Sequence, residues 1–531
     1  MRRPSPIPTS PPRRGSVLLL VLVVVAALAF SVFSFSERAL GEYEATRATV
    51  DQIQMRTAAA SGVEAARGWL EAGATSKALP ETGLVGDRDG RRVTYALWKH
   101  PASATDTPAV GLANESARFN PNALSLKPSR LRESRERLLA LPGMTPDLAG
   151  GVLAWMAAPD IVDPALQEES TDEPPHRRFE RIDELLLVPG MTPDRLYGTG
   201  SRTPGSAAAT NRAGLAEFLT VSGHESNTGP NGRPKVNLNR KDLAGLYDDL
   251  RGQLGFPEAT ALFLVAVRTA PLEYDHEGHP PADDAETERL KRLDSARRRL
   301  ERQLGGQKDS PSVAVTRSAR EETRGGLALP AEPPIRIDSL ARLAGAKVRV
   351  RIHDEDRVLT SPWRDDPQGF ENLLTQLEPW LTTSSGPRLE GRIRLPEATV
   401  AVLRTIPGMS ESLARAIVAR RRPGARDQET IAWLLREGLV TAPELRELAP
   451  CLTSGGSAWR GVAVGRIEGS RSVAAIQFQV AHAGKMTTLL GQFDLPFAPA
   501  PSTLSGSSGT GSYTTPRDPS RAFSSPQGFS Q

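Results

Sequence analysis

Residues 13–36 read RRGSVLLLVLVVVAALAFSVFSFS, and this stretch decides how the rest of the chain is organised. The segment from Ser16 to Ser36 carries no charge, and about 20 helical residues cover the roughly 30 Å hydrocarbon core of a bilayer. The polar leader before it is basic, with Arg2, Arg3, Arg13 and Arg14. By the positive-inside rule, the sequence predicts one membrane-spanning helix with a cytoplasmic N-terminus and the bulk of the chain on the other side.

Three interpretations of this apolar segment stay open: an uncleaved anchor, a conventional signal peptide, or a leader cut before the apolar run. A small-x-small site at Ala27-Leu28-Ala29 supports the signal peptide, although the apolar run continues beyond it to Phe35. The third interpretation rests on Gly15, which ends the basic leader directly before Ser16 and looks like the cleavage site of a prepilin-peptidase substrate. It is favoured because residues 37–71 contain no proline and continue as a helix-compatible stem.

Length and composition limit the remaining possibilities. A chain of 531 residues predicts about two to four folded units. The 66 Lys and Arg nearly balance the 62 Asp and Glu, so the net charge indicates neither a polyanion-binding nor an acidic solvating chain. The single cysteine, Cys451, excludes an intramolecular disulfide and a Cys-rich metal site. An aromatic content of 5%, with 46 Gly and 44 Pro, favours helix-rich modules over a β-sandwich.

A turn motif of the form apolar-Pro-Gly-Met-Thr/Ser occurs three times after residue 119. In each copy we expect Gly to adopt the left-handed conformation, Met to pack against the core, and Thr or Ser to cap the next helix. Each copy therefore predicts a turn between two packed helices. The turn residues are Pro142 and Gly143, Pro189 and Gly190, and Pro407 and Gly408.

Two Asn-x-Asn elements stand upstream of helical segments. The first consists of Asn120 and Asn122, and the second of Asn237 and Asn239. Asparagines at this spacing can close Asx turns and cap the structure that follows. We expect them to organise the backbone of the helical units.

No catalytic constellation is present in the sequence, so we expect no enzyme and no cofactor. The seven histidines do not form a zinc motif, and calcium binding stays open without an assignable site. The stretch from Glu273 to His279 and the stretch from His353 to Asp356 are better explained as polar loops than as metal sites. The latter is expected to be a turn between strands.

DNA binding is the alternative from a different class, because paired helices joined by Pro-Gly resemble the helix-hairpin-helix. Phosphate-binding hairpins place a second glycine where this chain has Thr145, Thr192 and Ser410, so nucleic acid is an unlikely partner. The third unit is the most basic, with Arg415, Arg420, Arg421 and Arg422. It alone keeps open a membrane-tethered DNA-binding protein of an uptake system.

The Gly-ended leader, the apolar helix with its stem, the Asn-x-Asn elements and the Pro-Gly-Met turns together resemble the protein K family of type II secretion minor pseudopilins. The resemblance implies an α+β fold, in which a long N-terminal helix packs on a small antiparallel sheet. It also implies a large inserted helical region of helix-hairpin-helix or SAM-like type. Residues 91–118 and 458–490 are then expected to form the sheet.

The resemblance and the composition together divide the chain into ten segments. They are a leader (1–15), a transmembrane and stem helix (16–72), the first part of the α/β domain (73–118), a first helical hairpin module (119–200), a linker (201–213), a second helical module (214–276), a charged insertion (277–330), a third hairpin module (331–457), a C-terminal β segment (458–495) and a disordered tail (496–531).

The resemblance carries a functional expectation that centres on Leu20. Cleavage after Gly15 would leave Ser16 as the N-methylated first residue and Leu20 at the fifth position, where pseudopilins generally carry a glutamate. A subunit without this carboxylate is expected to cap the tip of the pseudopilus and prime its assembly, supporting protein export across the outer membrane. The implied partners are other minor and major pseudopilins, prepilin peptidase and inner-membrane lipid, with a single-pass inner-membrane location and a periplasmic bulk.

Overall fold

The structure is a computed structural model that describes residues 16–72, 79–88, 90–99, 110–157, 176–198, 213–274, 322–353, 355–422, 424–470, 472–484 and 486–495. The leader, nearly all of the linker 201–213, most of the charged insertion 277–330 and the tail 496–531 lie outside the described residues. The described part combines a long N-terminal helix with small antiparallel sheets. The predicted α+β class is confirmed at this level.

The first helix, α1 (Ser16–Glu71), has two parts with different surroundings. Its N-terminal part contains an 18-residue window with a mean hydropathy of 2.9 and no buried residue, so it is long and apolar enough to cross a membrane or to act as a signal sequence. Its C-terminal part buries a stripe at helical spacing, namely Met55, Ala58, Ala59, Val63, Ala66 and Leu70. This stripe lies against the main sheet.

The main sheet contains strands from both ends of the chain. They are β1 (Thr82–Arg88), β2 (Arg91–Trp98), β3 (Ala113–Asn114), β15 (Ala458–Ile467), β16 (Val473–Ala483) and β17 (Met486–Leu495). Their order is β1-β2-β15-β16-β17, with β3 also paired to β15, and all pairs are antiparallel. Thus β2 and β15 are neighbours although residues 99–457 lie between them.

Strands of the main sheet lie in both expected segments, 91–118 and 458–490, but the described residues 110–118 form little of the sheet expected there. Only Ala113–Asn114 is a strand there. The Asn114 side chain accepts a hydrogen bond from the Ser116 N–H and starts a 3-10 turn at Glu115–Ala117. The Asx geometry of Asn114 therefore ends the strand after two residues.

Small residues allow α1 to approach the sheet closely. A Cβ atom on Gly465 of β15 would lie 1.7 Å from the Met55 carbonyl oxygen, and one on Gly62 of α1 would lie 3.1 Å from the Tyr95 ring. Gly62 weakens the isolated helix by about 1 kcal/mol, and its position explains why a glycine is present. The backbone of α1 thus rests almost directly on β15.

The region between β3 and β15 contains further helices. Their bounds are α2 (Leu131–Leu139), α3 (Pro146–Met156), α4 (Pro193–Tyr197), α5 (Leu243–Gly252), α6 (Glu258–Ala266), α7 (Pro367–Leu377), α8 (Val400–Leu403), α9 (Glu411–Arg420), α10 (Trp433–Arg436) and α11 (Ala442–Leu448). One contiguous hydrophobic core runs from Phe119 to Leu452 and joins all three predicted helical units.

The same region also contains strands, and more of them than the pair expected around the turn at His353. Five of these strands form one sheet: β6 (Leu272–Tyr274), β7 (Glu322–Arg324), β8 (Leu327–Leu329), β9 (Ala346–Ile352) and β10 (Glu355–Thr360). Their order is β10-β9-β8-β7, and β6 also pairs with β9. Hairpin β7–β8 falls inside the predicted insertion 277–330. Two-stranded pairs join β5 (Val236–Asn237) to β11 (Leu381–Thr382), β4 (His224–Ser226) to β12 (Arg388–Glu390), and β13 (Ile393–Arg394) to β14 (Leu452–Thr453).

Candidate functional site: the N-terminal helix and its head

The apolar part of α1 presents a continuous hydrophobic surface around Leu20. The helix begins at Ser16, and Gly15 lies outside the described residues. Leu20 is 65% exposed, and exposed Leu, Val and Phe side chains surround it as far as Phe35. No acidic residue lies in the first turn, and Glu37 is the first carboxylate of the helix. This surface can contact lipid or other apolar helices, but it cannot form an ion pair within its apolar span.

Exposed apolar side chains continue on α1 beyond the membrane-length segment. Leu40, Tyr43 and Ile53 are each about three-fifths exposed, at 62%, 64% and 59%. The stripe that begins at Met55, by contrast, is covered by the main sheet. The stretch between the apolar segment and the sheet is therefore available to pack against another helix.

The three predicted Pro-Gly turns adopt one conformation. Gly143, Gly190 and Gly408 have φ angles of 80°, 80° and 79°, and in each turn the Met N–H donates to the carbonyl three residues earlier over 3.0–3.2 Å. Proline at the second position, glycine with positive φ at the third and this hydrogen bond define a type II turn. The carbonyl acceptors belong to Leu141, Val188 and Ile406.

The residues around these turns serve helix packing and capping, as predicted. Thr145, Thr192 and Ser410 accept hydrogen bonds from the backbone N–H three residues later and cap α3, α4 and α9. The three methionines are buried, whereas the Pro-Gly pairs, including Pro142, Pro189 and Pro407, lie at the surface. The turns therefore hold each pair of helices together, and the Pro-Gly tip of each turn stays exposed.

The basic residues after the third turn have local partners. Arg415 pairs with Glu411 at 2.5 Å, Arg422 with Asp427 at 2.6 Å, and Arg421 donates to the Ala398 carbonyl at 2.6 Å. Arg420 lies 3.6 Å from Glu437. These interactions reduce the charge that the third unit can present to a phosphate backbone.

The Asn-x-Asn elements form the predicted Asx turns and make a second contact that the sequence does not reveal. Asn120 and Asn237 accept hydrogen bonds from the N–H of Asn122 and Asn239 at 3.0 and 2.8 Å. Asn122 then donates to the Phe179 carbonyl and accepts from its N–H, at 2.8 and 2.9 Å. The second asparagine thus holds the backbone of a distant segment through two hydrogen bonds, and we call this arrangement the asparagine clamp.

Asn239 repeats this clamp in the second unit. It donates to the Ile337 carbonyl at 2.6 Å and accepts from the Ile337 N–H at 2.9 Å. Its Nδ2 also donates to the Thr383 carbonyl at 2.8 Å. Phe179 and Ile337 each stand three residues before a 3-10 helix, Ile182–Leu187 and Leu340–Leu343. In both units, therefore, the second asparagine binds the backbone of the residue three positions before a 3-10 helix.

We expect Asn239→Ala to lower the free energy of unfolding by about 2 kcal/mol, because it leaves the Ile337 and Thr383 backbone groups without their partner. Urea unfolding of the full chain in detergent measures the change. Asn231→Ala removes an exposed Asx turn, in which Oδ1 accepts from the Arg233 N–H, and should change stability by about 0.5 kcal/mol or less. Equal losses for the two variants would contradict the clamp.

We call the region from Glu115 to Thr453, between β3 and β15, the head. A buried charge cluster lies where the head meets the main sheet. Arg118 and Arg460 both approach Glu115 Oε1, at 3.6 and 3.2 Å, and the Thr220 hydroxyl donates to Glu115 Oε2 at 2.5 Å. All four residues are buried. Burial, reinforced by the nearby Arg118 charge, lowers the pKa of Arg460 to about 10. Sequence reasoning missed this cluster, because its members are far apart in the chain and no motif links them.

Two polar stretches, 273–279 and 353–356, were considered as metal sites, and the described part of the chain contains no metal site. His353 lies at the turn between β9 and β10 with a φ of 51°, as the sequence predicted for this stretch. Glu273 belongs to β6, whereas residues 275–279 lie outside the described residues. Among the residues that the structure describes, no group of three or more His, Cys, Asp and Glu side chains is placed to hold a metal ion.

No protein-family model matches the sequence, and the curated proteins contain no significant match. The functional conclusion therefore rests on the residues of this chain.

Proposed function

We propose that the chain is a membrane-anchored, non-enzymatic minor pseudopilin that caps the tip of a type II secretion pseudopilus and primes its assembly. The single observation that carries this proposal is the uncharged surface around Leu20, on a helix whose far end packs on a small antiparallel sheet. That surface can enter a helical bundle in the membrane, since its apolar side chains replace lipid contacts with helix contacts.

The absence of a carboxylate at Leu20 supports a position for this chain at the end of the filament. In pseudopilins, a glutamate at the fifth position pairs with the charged N-terminus of a neighbouring subunit, which offsets the cost of a buried charge. Leu20 needs no such neighbour. The large head, from Glu115 to Thr453, would also leave no room for a further subunit above it.

The proposed location follows from the same helix. The N-terminus lies in the cytoplasm, α1 crosses the inner membrane once, and the bulk of the chain is periplasmic. Prepilin peptidase removes the leader after Gly15, and Ser16 becomes the methylated N-terminus. Leu40, Tyr43 and Ile53 contact the stems of sibling pseudopilins.

Two measurements test this proposal. Mass spectrometry of the mature protein should find Ser16, with or without a methyl group, as the first residue. Phe30 would instead indicate a secreted soluble protein, and an intact Met1 a plain anchor. Immunogold labelling should place the chain at one end of the filament; labelling along the whole length would overturn the capping role.

We expect Leu20→Glu to allow incorporation below the tip, because it restores the carboxylate that pairs with a neighbouring N-terminus. The readout is the fraction of gold label found away from filament ends. Leu22→Glu places the same charge two residues later in the same apolar surface and serves as the matched control. A similar distribution for both variants would mean that position 20 has no special role.

A further inference from the structure

A cavity of about 1000 Å³ lies on the face of the main sheet opposite α1. On β16, Phe478 and Val480 pack towards α1, so the alternating residues Gln477 and Gln479 face the other way, into the cavity. Arg460 of β15 is directly opposite Gln479 in the strand register and extends this wall. The head covers the other side, so the cavity is a junction between the sheet and the head.

The buried wall of the cavity carries more positive than negative charge. Arg118 and Arg460 are about nine-tenths buried and line it, and Glu115 is the only acidic group within ion-pair distance of either in the described ranges. The buried Nη1 atom of Arg118 has no hydrogen-bond partner there. Two guanidinium groups thus share one carboxylate, an arrangement that favours a further anion.

The rim adds one more arginine without an ion pair among the described residues, and it also includes the carboxylates of Glu180 and Glu217. Arg177 pairs with Glu184 at 2.7 Å and Arg181 with Asp183 at 3.1 Å, and Arg178 pairs with Glu390. Arg388 also lines the cavity but has no ion pair with any residue that the structure describes. Arg388 is exposed and can reach a ligand that enters from solvent.

The cavity is bordered by a free strand edge. β17 is the last strand of the main sheet and, in the described part of the chain, pairs with β16 alone. Leu490 is the extra residue of a bulge, and it lines the cavity together with Gly491 and Phe493. An edge strand offers backbone donors and acceptors to an added strand. This feature suits an extended polypeptide better than a small anion.

We infer that this cavity binds an extended acidic segment of a partner polypeptide. The main chain of the segment pairs with the free edge of β17 and then turns past Phe493 into the cavity, where its carboxylates contact Arg118, Arg460 and Arg388. Arginine suits this task because its planar guanidinium binds a carboxylate in a bidentate manner. The binding site is separate from the apolar surface of α1.

The test uses the purified full chain in detergent and a fluorescein-labelled octapeptide of alternating Glu and Ser, followed by fluorescence anisotropy. Arg388→Ala should weaken binding about tenfold, the effect of losing one charged hydrogen-bonding partner. Arg132→Ala makes the same charge change on α2, where the side chain is 92% exposed and outside the cavity, and should leave the affinity unchanged.

A second variant tests the cavity without changing charge. Gln477→Trp fills part of the cavity volume and should also weaken peptide binding by about tenfold or more, with folding checked by thermal unfolding. No binding by the unmodified chain, equal losses for Arg388→Ala and Arg132→Ala, or unchanged binding by folded Gln477→Trp would overturn the inference. Displacement of the peptide by equimolar citrate would overturn it as well, since it would assign the cavity to a small anion. Peptide binding does not require a filament, so its failure is distinct from failure of the capping role.

Discussion

Replacing Gly465 with valine is expected to force α1 away from the main sheet and to lower the free energy of unfolding by about 3 kcal/mol or more. A Cβ atom at this position would lie 1.7 Å from the Met55 carbonyl oxygen and 2.7 Å from the Ala59 nitrogen. Both are backbone atoms of α1, so a side-chain rotation cannot relieve the overlap. The helix must shift, and the stripe that begins at Met55 loses its contacts with the sheet.

The measurement is urea unfolding of the full chain in detergent, together with proteolysis between α1 and β1. Gly68→Ala is the control on the helix, because a Cβ atom at Gly68 meets nothing within 4 Å. This substitution should stabilise the protein by up to about 1 kcal/mol through helix propensity. A Gly465→Val protein as stable as the unmodified chain would contradict the close contact between α1 and β15.

Glu115→Gln is expected to cost about 3–5 kcal/mol, because it leaves the buried guanidinium groups of Arg118 and Arg460 without a counter-charge. The amide retains the size of the carboxylate, so the loss reflects charge more than packing. Thermal and urea unfolding report the change. The expected cost is large because Glu115 and Arg460 are 2% and 8% exposed and solvent screens them little.

Two comparisons sharpen this prediction. Glu64→Gln disrupts an exposed ion pair with Arg67 on α1 and should cost about 0.5 kcal/mol or less. In an Arg460→Met background, Glu115→Gln should cost clearly less than in the unmodified chain, since one buried charge is already absent. A cost independent of Arg460 would show that Glu115 acts through Thr220 or packing instead.

Features set by local chemistry could be predicted from the sequence. The φ angle of Gly143, the cap at Thr145 and the Asx turn at Asn120 depend on residues within four positions of each other. The apolar length of α1 and the strand at Arg91–Trp98 also follow from short sequence patterns. These predictions succeed because neighbouring residues supply both the donor and the acceptor, or the whole apolar surface.

Features that depend on distant pairing could not be predicted. Nothing near Asn239 in the sequence indicates that it binds Ile337, and nothing near Glu115 indicates Arg460. The turn at His353 was predicted, but the five-stranded sheet around it was not, because its strands β6, β7 and β8 are only three residues long each. Tertiary pairing, rather than propensity, fixes such short strands.

The adjacency of β2 and β15 sets the order in which this protein can mature. Synthesis begins at the N-terminus, so hairpin β1–β2 is complete before Ala458 is made and must wait for β15 before it gains its neighbour. Contacts this remote in sequence form late. A chain that terminates before β15 contains every helix of the head yet offers α1 only β1 and β2, so much of the stripe on α1 stays uncovered and becomes a target for quality-control proteases.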